Sequence, residues 1–217
     1  MKRIVSLLLV LALSIGACVL LSGCSAAPRV EDIYDRVVYL IEESYEINTI
    51  LYGKGLPVIG RDSEYASIKH AYAELDQNHA HVNYEMIDLN HAKIVSIEEI
   101  KARAKKIYST GYLDAKFEYC FKGYAVNNGS GQMVVESGRY FEDSFGFFLS
   151  TDPSPFRCEM RIYDYSTMKV QSLGRKDACA VTMDSWLESS PDKIEVVEIY
   201  LVLENGQWLL DSETSLG

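Results

Sequence analysis

The four histidines of this chain cluster in one polar stretch, so metal binding is the first chemistry to consider. They are His70, His79, His81 and His91, with Glu85 and Asp88 close by in the sequence. In an extended strand, His79 and His81 would project from the same face, because successive side chains alternate between faces. Two imidazoles on one face, completed by a third ligand such as His91, could hold zinc. The spacing matches no established zinc motif, so two interpretations stay open: a metal site, and a solvated polar turn that leads into a strand.

Covalent catalysis by a cysteine would need a thiolate with a base beside it. Cys120 is the single candidate, because "KFEYCF" alternates like a strand that would turn Cys120 outward. On that face the pattern places Glu118 and Lys122 but no histidine. We therefore expect an inert, exposed thiol.

Adjacent acidic residues suggest glycosidase chemistry only where two carboxyl groups can converge on one sugar. Neighbouring side chains in a helix or strand diverge, so a solvated surface is the better interpretation of the pairs Glu42-Glu43, Glu98-Glu99 and Glu142-Asp143. The sequence also lacks a glycine-rich phosphate loop, a serine nucleophile elbow and a metalloprotease helix motif. We predict no catalytic residue and no cofactor.

Tyrosines are the remaining suggestive group, because each offers an apolar ring and a polar tip to a core or to a bound ligand. Those in the second half of the chain are Tyr112, Tyr119, Tyr124, Tyr140, Tyr163, Tyr165 and Tyr200. They could pack in the core or line a pocket.

The N-terminus has the shape of an export signal. Lys2 and Arg3 form a short basic region, and an apolar stretch follows over Ile4–Leu21. Taken alone, a run of this length could also be a marginal transmembrane helix. It ends in Leu21-Ser22-Gly23-Cys24, which resembles the lipobox of bacterial lipoproteins.

The lipobox resemblance implies a cellular location for the protein. It implies that Cys24 carries a diacylglycerol thioether, that residues 1–23 are removed as a signal peptide, and that the domain is exported and anchored to the bacterial membrane by lipid. Two or more acyl chains hold far better than one. Cys24 and the tether that follows it form residues 24–29. Because Ser25–Arg29 reach at most ~17 Å, the domain would work close to the membrane surface.

The composition limits the classes of partner that the protein can bind. The chain has a net charge of −10, and loss of residues 1–23 would remove only the basic residues Lys2 and Arg3 from this balance. An anionic domain is repelled by nucleic acid and by anionic lipid headgroups. Nucleic-acid binding is therefore not expected, whereas basic partners and metal cations are allowed. A hydrophobic content of 48% is enough for a core, and residues 30–217 suit one domain.

Three cysteines follow Cys24, an odd number for an exported chain. Strand alternation would turn Cys158 and Cys179 inward and Cys120 outward. One hypothesis is a disulfide between Cys158 and Cys179 with Cys120 as a free thiol; the pairing stays open.

Hydrophobic periodicity predicts helices first and strands later. An amphipathic helix is expected over Val30–Tyr52, ended by Gly53, and a shorter helix over Ser63–Leu75. Ser96 followed by Glu99 predicts a capping box at the start of another helix. From Leu113 the period changes to two, which predicts the strands Lys116–Tyr124, Gln132–Val135, Gly138–Phe141, Phe145–Leu149, Arg157–Tyr165, Lys169–Leu173, Ala178–Met183, Glu195–Leu203 and Gln207–Asp211.

The last two strands contain an internal check. Asn205-Gly206 predicts a two-residue type I′ turn, which would pair Leu203 with Trp208 and Leu201 with Leu210. Both pairs fall on one apolar face. The opposite face is only half polar, so we expect it to be covered by a helix or to line a pocket.

Helices followed by an antiparallel meander predict an α+β fold, with N-terminal helices packed on a curved antiparallel sheet. This order, with "KKIYSTGYL" ending the capped helix and "YLVLENGQWLL" closing the sheet, resembles the nuclear-transport-factor-2-like superfamily, whose helices and sheet form a cone with a pocket. It also resembles the DL-endopeptidase inhibitor family of bacterial surface proteins. The stretch 126–152 would be an insertion in either. The resemblance implies a binding or inhibitory domain more often than an enzyme.

We therefore expect a lipid-anchored, non-enzymatic binding domain of the cell envelope that holds a protein partner or a small envelope ligand. Three alternatives stay open. They are an inhibitor of a cell-wall hydrolase, a metal-binding lipoprotein that uses the segment with His79, His81 and His91, and an enzyme that uses the cone pocket.

Overall fold

The computed structural model describes residues 27–59, 84–127, 133–136, 138–143, 146–150 and 159–214. Several expectations fall on residues outside these ranges: Cys24, His70, His79, His81, Cys158 and the helix over Ser63–Leu75.

The described chain combines three helices with antiparallel strands. Helix α1 covers Val30–Leu51, α2 covers Ile97–Ala104, and α3 covers Thr110–Phe117 and continues as a π-helical turn over Glu118–Lys122. The strands are β1 (Tyr84–Met86), β2 (Tyr124–Asn127), β3 (Met133–Glu136), β4 (Tyr140–Asp143), β5 (Gly146–Ser150), β6 (Arg161–Ser172), β7 (Ala178–Leu187), β8 (Ser190–Glu204) and β9 (Gln207–Leu210). They form a four-stranded sheet in the order β6-β7-β8-β9, a three-stranded sheet in the order β1-β5-β4, and the pair β2-β3. The predicted α+β fold, with helices against an open antiparallel sheet, is confirmed.

Helix α1 lies at the centre of the core. Its buried apolar residues follow the helical period: Ile33, Val37, Leu40, Ile41, Ile47, Ile50 and Leu51. They face α2 and strands β6 and β9. Each fully buried aliphatic side chain contributes about 1.5–3 kcal/mol relative to its exposed state, so this stripe holds the helix against both neighbours.

The C-terminal end of α1 is buried, and its last carbonyl groups have no partner within the helix. The Arg139 guanidinium supplies the missing donors: its Nε donates to the Ile50 carbonyl at 3.0 Å, and an Nη donates to the Gly53 carbonyl. The Tyr140 hydroxyl donates to the same Ile50 oxygen at 2.9 Å and accepts from the Leu56 amide at 3.2 Å. Arg139 is only 4% exposed. The positive charge of Arg139 lies at the C-terminal end of α1, where the helix dipole is negative.

A second set of polar contacts ties the end of the described chain to α1. The Asn48 amide group donates to Thr214 Oγ1 at 2.9 Å and accepts from the Tyr108 hydroxyl at 2.7 Å. Ser44 Oγ lies 2.6 Å from the same Thr214 oxygen. The Tyr163 hydroxyl donates to the Thr214 carbonyl at 2.6 Å. Because buried polar groups need partners, this network specifies where the segment after β9 must lie.

The predicted final hairpin is confirmed. Asn205 and Gly206 have φ angles of 51° and 78°, the positive values that a type I′ turn requires at both positions. The register pairs Leu203 with Trp208 and Leu201 with Leu210, as the turn predicts.

The helix cap at Ser96 forms with a small difference from the prediction. Ser96 Oγ accepts from the Glu99 amide at 3.1 Å, as expected. The Glu99 carboxylate accepts from the Val95 amide, also at 3.1 Å. The reciprocal bond of the capping box is thus shifted by one residue toward the N-terminus.

The expected strand over Lys116–Tyr124 is wrong, because the chain is helical through Lys122. Ser109 starts the helix: its hydroxyl accepts from the Tyr112 amide at 3.1 Å, as an N-cap residue does. Leu113 and Cys120, seven positions apart and so on one side of a helix, are both buried. The alternating aromatic residues that suggested a strand are therefore a coincidence of spacing, and Cys120 faces inward.

The two strands expected over Arg157–Tyr165 and Lys169–Leu173 are one strand, β6, with a register shift between Asp164 and Lys169. The stretch 126–152 contains β3, β4 and β5, of which β4 and β5 join β1 in the three-stranded sheet.

We predict that Arg139→Met lowers the free energy of unfolding by about 1–3 kcal/mol, because the partly buried Gly53 carbonyl would lose its donor and the buried Ile50 carbonyl would lose one of two. The matched control is Arg175→Met, since Arg175 is exposed and its ion pair with Asp177 lies in a turn. Thermal unfolding followed by circular dichroism measures both. Equal melting temperatures for the two variants would contradict the role given to Arg139.

Candidate functional site

The four-stranded sheet buries one face against α1 and leaves the other without a helix among the described residues. The buried side of β7 and β8 carries Met183, Val181, Ile199 and Leu201. The opposite side carries four apolar residues that solvent reaches: Ile162 of β6, Trp186 of β7, and Ile194 and Val196 of β8. Together with the carboxylates of Asp164, Asp184 and Glu198, these four residues are called the outer patch below.

Two residues of the outer patch are strongly exposed for their type. Ile194 is 64% exposed and Val196 is 73% exposed. Both occupy alternate positions of β8, so both project from the same face of the sheet. Ile162 is paired directly with Trp186 across β6 and β7, whereas the register of β7 with β8 is irregular next to Trp186.

The acidic residues of the outer patch are placed unfavourably for stability. Asp164 and Asp184 are directly opposite each other across β6 and β7, and like charges in that position destabilise a sheet. Val196 pairs with Asp184, and Glu198 pairs with Thr182. None of the three carboxylates forms an ion pair with any residue that the structure describes. The outer patch therefore offers carboxylates that form no ion pair within the described chain.

The register shift in β6 opens a cavity of about 350 Å³ beside the outer patch. Thr167 holds the bulge in place: its hydroxyl accepts from the Asp184 amide and donates to the Asp164 carbonyl, each at 2.8 Å. The cavity is lined by Ser166, Thr167, Met168, Lys169, Thr182, Met183, Asp184 and Val196. These side chains offer hydroxyls, one ammonium group and one carboxylate, which suit the binding of a polar group. No histidine or cysteine is among them, so the lining pairs no thiol or imidazole base with a substrate.

Of the four histidines, His91 lies within the described ranges. Its Nδ1 lies 2.7 Å from Asp88 Oδ2, and its side chain is exposed. The hydrogen bond from His91 lowers the pKa of Asp88 below its usual value. Within the described ranges no three His, Cys, Asp or Glu side chains converge on a possible metal position. A zinc site at His79 and His81 stays a prediction, because both residues lie outside those ranges.

Cys120 does not have the environment expected from the sequence. It is fully buried, and its thiol donates to the Leu51 carbonyl at 3.8 Å. Burial raises the pKa of Cys120 to about 12, so the thiol is protonated near neutral pH. Cys179 is buried as predicted, but its thiol is free. This contradicts the hypothesis of a Cys158–Cys179 disulfide.

One member of each adjacent acidic pair is exposed and makes a contact within the fold. Glu42 accepts from the Tyr165 hydroxyl at 2.5 Å, Glu98 binds Lys101 at 2.8 Å, and Glu142 accepts from the Ile97 amide at 3.1 Å. Each of these contacts is local or structural, as the solvated-surface interpretation predicts.

Most of the tyrosines in the second half of the chain pack in or against the core. Tyr140 and Tyr163 are buried and hydrogen-bonded, and Tyr112 stacks on Tyr108 with ring centroids 4.7 Å apart. Tyr200 is the member of the set that lies on the outer side of β8, where its hydroxyl donates to Glu198 at 2.6 Å.

Sequence reasoning missed the outer patch. The sequence did contain a signal for it, because β8 carries apolar residues at both odd and even positions. Val197, Ile199 and Leu201 project inward, while Ile194 and Val196 project outward. A strand that faces water on one side should be polar there.

No family model, no curated protein and no solved structure matches this chain. Among the described residues, no helix is long and apolar enough to cross a membrane.

We predict that Cys120 and Cys179 resist iodoacetamide in the folded protein at about pH 8. The reagent attacks thiolates, and burial both blocks access and raises the pKa of Cys120 to about 12 and that of Cys179 to about 11. Peptide mass spectrometry of unreduced protein, before and after addition of denaturant, measures the modification. Labelling of Cys120 in the folded state, or resistance of Cys179 in denaturant, would contradict the structure.

Proposed function

We propose that this protein is a lipid-anchored, extracytoplasmic binding domain that holds a protein partner on the outer patch. The observation that carries the proposal is the combination of Ile194 and Val196, both strongly exposed on β8, with three carboxylates that form no ion pair in the described chain.

The apolar part of the outer patch would supply the affinity. Burial of exposed apolar surface is the main driving force of association, and contiguous apolar surface on a folded domain marks interaction sites. Trp186, which is half-buried at the side of the patch, belongs to the residue types that dominate binding energy at interfaces.

The acidic part of the outer patch would supply the selectivity. A partner with basic residues would relieve the repulsion between Asp164 and Asp184. Complementary charge also speeds association and disfavours wrong partners. The partner we propose is therefore a protein with a basic binding surface.

The proposed location rests on Leu21-Ser22-Gly23-Cys24. A lipid on Cys24 and a tether as short as Ser25–Arg29 would keep the domain within ~17 Å of its anchor. Confinement near a surface raises the effective concentration of any partner held at the same surface. A low affinity of the outer patch for its partner would then be sufficient for binding.

We predict that a photo-reactive benzoylphenylalanine at Val196 crosslinks one discrete partner in the intact cell that produces the protein. The expected partner is a basic envelope protein, identified by mass spectrometry of the crosslinked band. The matched control carries the same residue at Leu89, an exposed apolar position in the turn between β1 and α2.

Two crosslinking results would overturn the proposed binding role. One is the absence of any adduct at Val196. The other is the same pattern of adducts at Val196 and Leu89, because nonspecific collisions do not distinguish between two exposed positions.

We also predict that Cys24→Ser abolishes lipid attachment, and with it the removal of residues 1–23. Metabolic labelling with a fatty acid analogue should mark the wild-type protein and leave the variant unmarked. An unmarked wild-type protein in the membrane fraction would contradict anchoring by lipid and would favour an uncleaved hydrophobic helix over Ile4–Leu21.

A further inference from the structure

The cavity at the β6 bulge is lined by one cationic and one anionic side chain that do not bind each other. Lys169 is paired with Thr182 across β6 and β7, and Asp184 lies two positions further along β7 on the same face. Such diagonal neighbours in an antiparallel pair are about 7–8 Å apart, within reach of a long side chain. Within the described ranges, neither the Lys169 ammonium nor the Asp184 carboxylate forms an ion pair or a hydrogen bond. The fold therefore leaves two opposite charges apart beside one cavity.

Main-chain geometry sets the position of this cavity. Strand β6 has four residues (165–168) where β7 has one, Met183, so β6 bulges away from its neighbour. The Thr167 hydroxyl holds the bulge by accepting from the Asp184 amide and donating to the Asp164 carbonyl, each at 2.8 Å. The bulge and its hydrogen bonds do not depend on a ligand, so the cavity is formed in advance of binding.

The rest of the lining suits a small molecule with a polar part and an apolar part. Thr182 supplies a hydroxyl that has no hydrogen-bond partner among the described residues. Met168, Met183 and Val196 supply apolar surface. Pockets for small molecules combine apolar walls with a few polar groups that fix orientation, and they span about 300–1,000 Å³. A volume of about 350 Å³ lies at the small end of this range.

We propose that the cavity at the β6 bulge binds a small zwitterion, a free α-amino acid with an apolar side chain. Its carboxylate accepts from the Lys169 ammonium, its ammonium group donates to the Asp184 carboxylate, and its side chain packs beside Val196. A free α-amino acid carries both charges on one carbon atom, so it can contact both residues at once. A simple cation or a simple anion binds one of the two residues and is repelled by the other.

Neighbouring charges give the bound amino acid one orientation. Asp164 lies directly opposite Asp184, so two carboxylates favour the ammonium group at that end of the cavity. Glu198 approaches the Lys169 end from β8, but its carboxylate accepts from the Tyr200 hydroxyl at 2.6 Å and does not line the cavity. Lys169 is therefore the charge that the carboxylate of the ligand meets.

The test uses L-leucine as the probe and the full chain in detergent micelles. Two analogues keep the leucine side chain and carry one charge each: 4-methylpentanoate lacks the ammonium group, and 3-methylbutylamine lacks the carboxylate. Isothermal titration calorimetry measures the three dissociation constants. We expect leucine to bind at least about tenfold more tightly than either analogue, because each analogue loses one charge-assisted hydrogen bond.

Two variants assign the two charges of the ligand. In Lys169→Met, leucine should bind no more tightly than 3-methylbutylamine. In Asp184→Asn, it should bind no more tightly than 4-methylpentanoate. The matched control is Lys176→Met, because Lys176 is exposed in the turn after β6 and does not line the cavity. This control should keep the full preference for leucine.

Three results would overturn the inference: no binding of leucine, equally tight binding of either analogue, or a preference for leucine that survives both Lys169→Met and Asp184→Asn. This binding role goes beyond the partner proposed for the outer patch. Crosslinking at Val196 in intact cells reports on that partner and calorimetry with leucine reports on the cavity, so the two proposals can fail separately.

Discussion

The buried C-terminal end of α1 is the constraint on which the rest of the structure depends. Its carbonyl groups cannot reach water, so another part of the chain must supply donors. Arg139 and Tyr140 do so from the start of β4, and this requirement fixes the three-stranded sheet against the helix. The close approach also explains Gly138. A Cβ atom there would lie 2.8 Å from the Cys120 carbonyl oxygen, so any side chain would push β4 away from the π-helical turn.

The same helix also fixes the four-stranded sheet, through different chemistry. Its apolar stripe covers the inner side of the sheet, and Asn48 holds Thr214 after β9 has ended. One helix thus positions both sheets, and its buried face is fully used by this task. Among the described residues, the side of the four-stranded sheet that α1 does not contact takes no part in this packing.

The sequence predicted those parts of the fold in which one local signal determines the conformation. Asn205-Gly206 determined a hairpin and its register, because few two-residue turns match the right-handed twist of the flanking strands. The helix α1 was predictable from its periodicity. The strand predicted at Cys120 was wrong, because the prediction relied on alternating aromatic residues. The N-cap at Ser109 was the better signal, since a cap reports the backbone conformation directly. The outer patch was not predictable from single-strand patterns. It depends on β6, β7 and β8 lying side by side, and on Asp164 meeting Asp184 across a register that the bulge at Thr167 sets.

The outer patch is also where the sequence departs from what stability alone would select. An exposed sheet face would be most stable with polar or β-branched residues beside opposite charges, yet here two aspartates face each other next to exposed isoleucine and valine. The core does not demand this arrangement, because none of these four side chains is among the buried residues. Natural proteins break local rules chiefly at functional sites. The bulge that holds Asp164 opposite Asp184 requires the Thr167 hydroxyl to bridge two backbone groups, so the repulsive pair is built into the strand geometry. The partner that we propose would place basic residues beside this pair and would relieve the repulsion on binding.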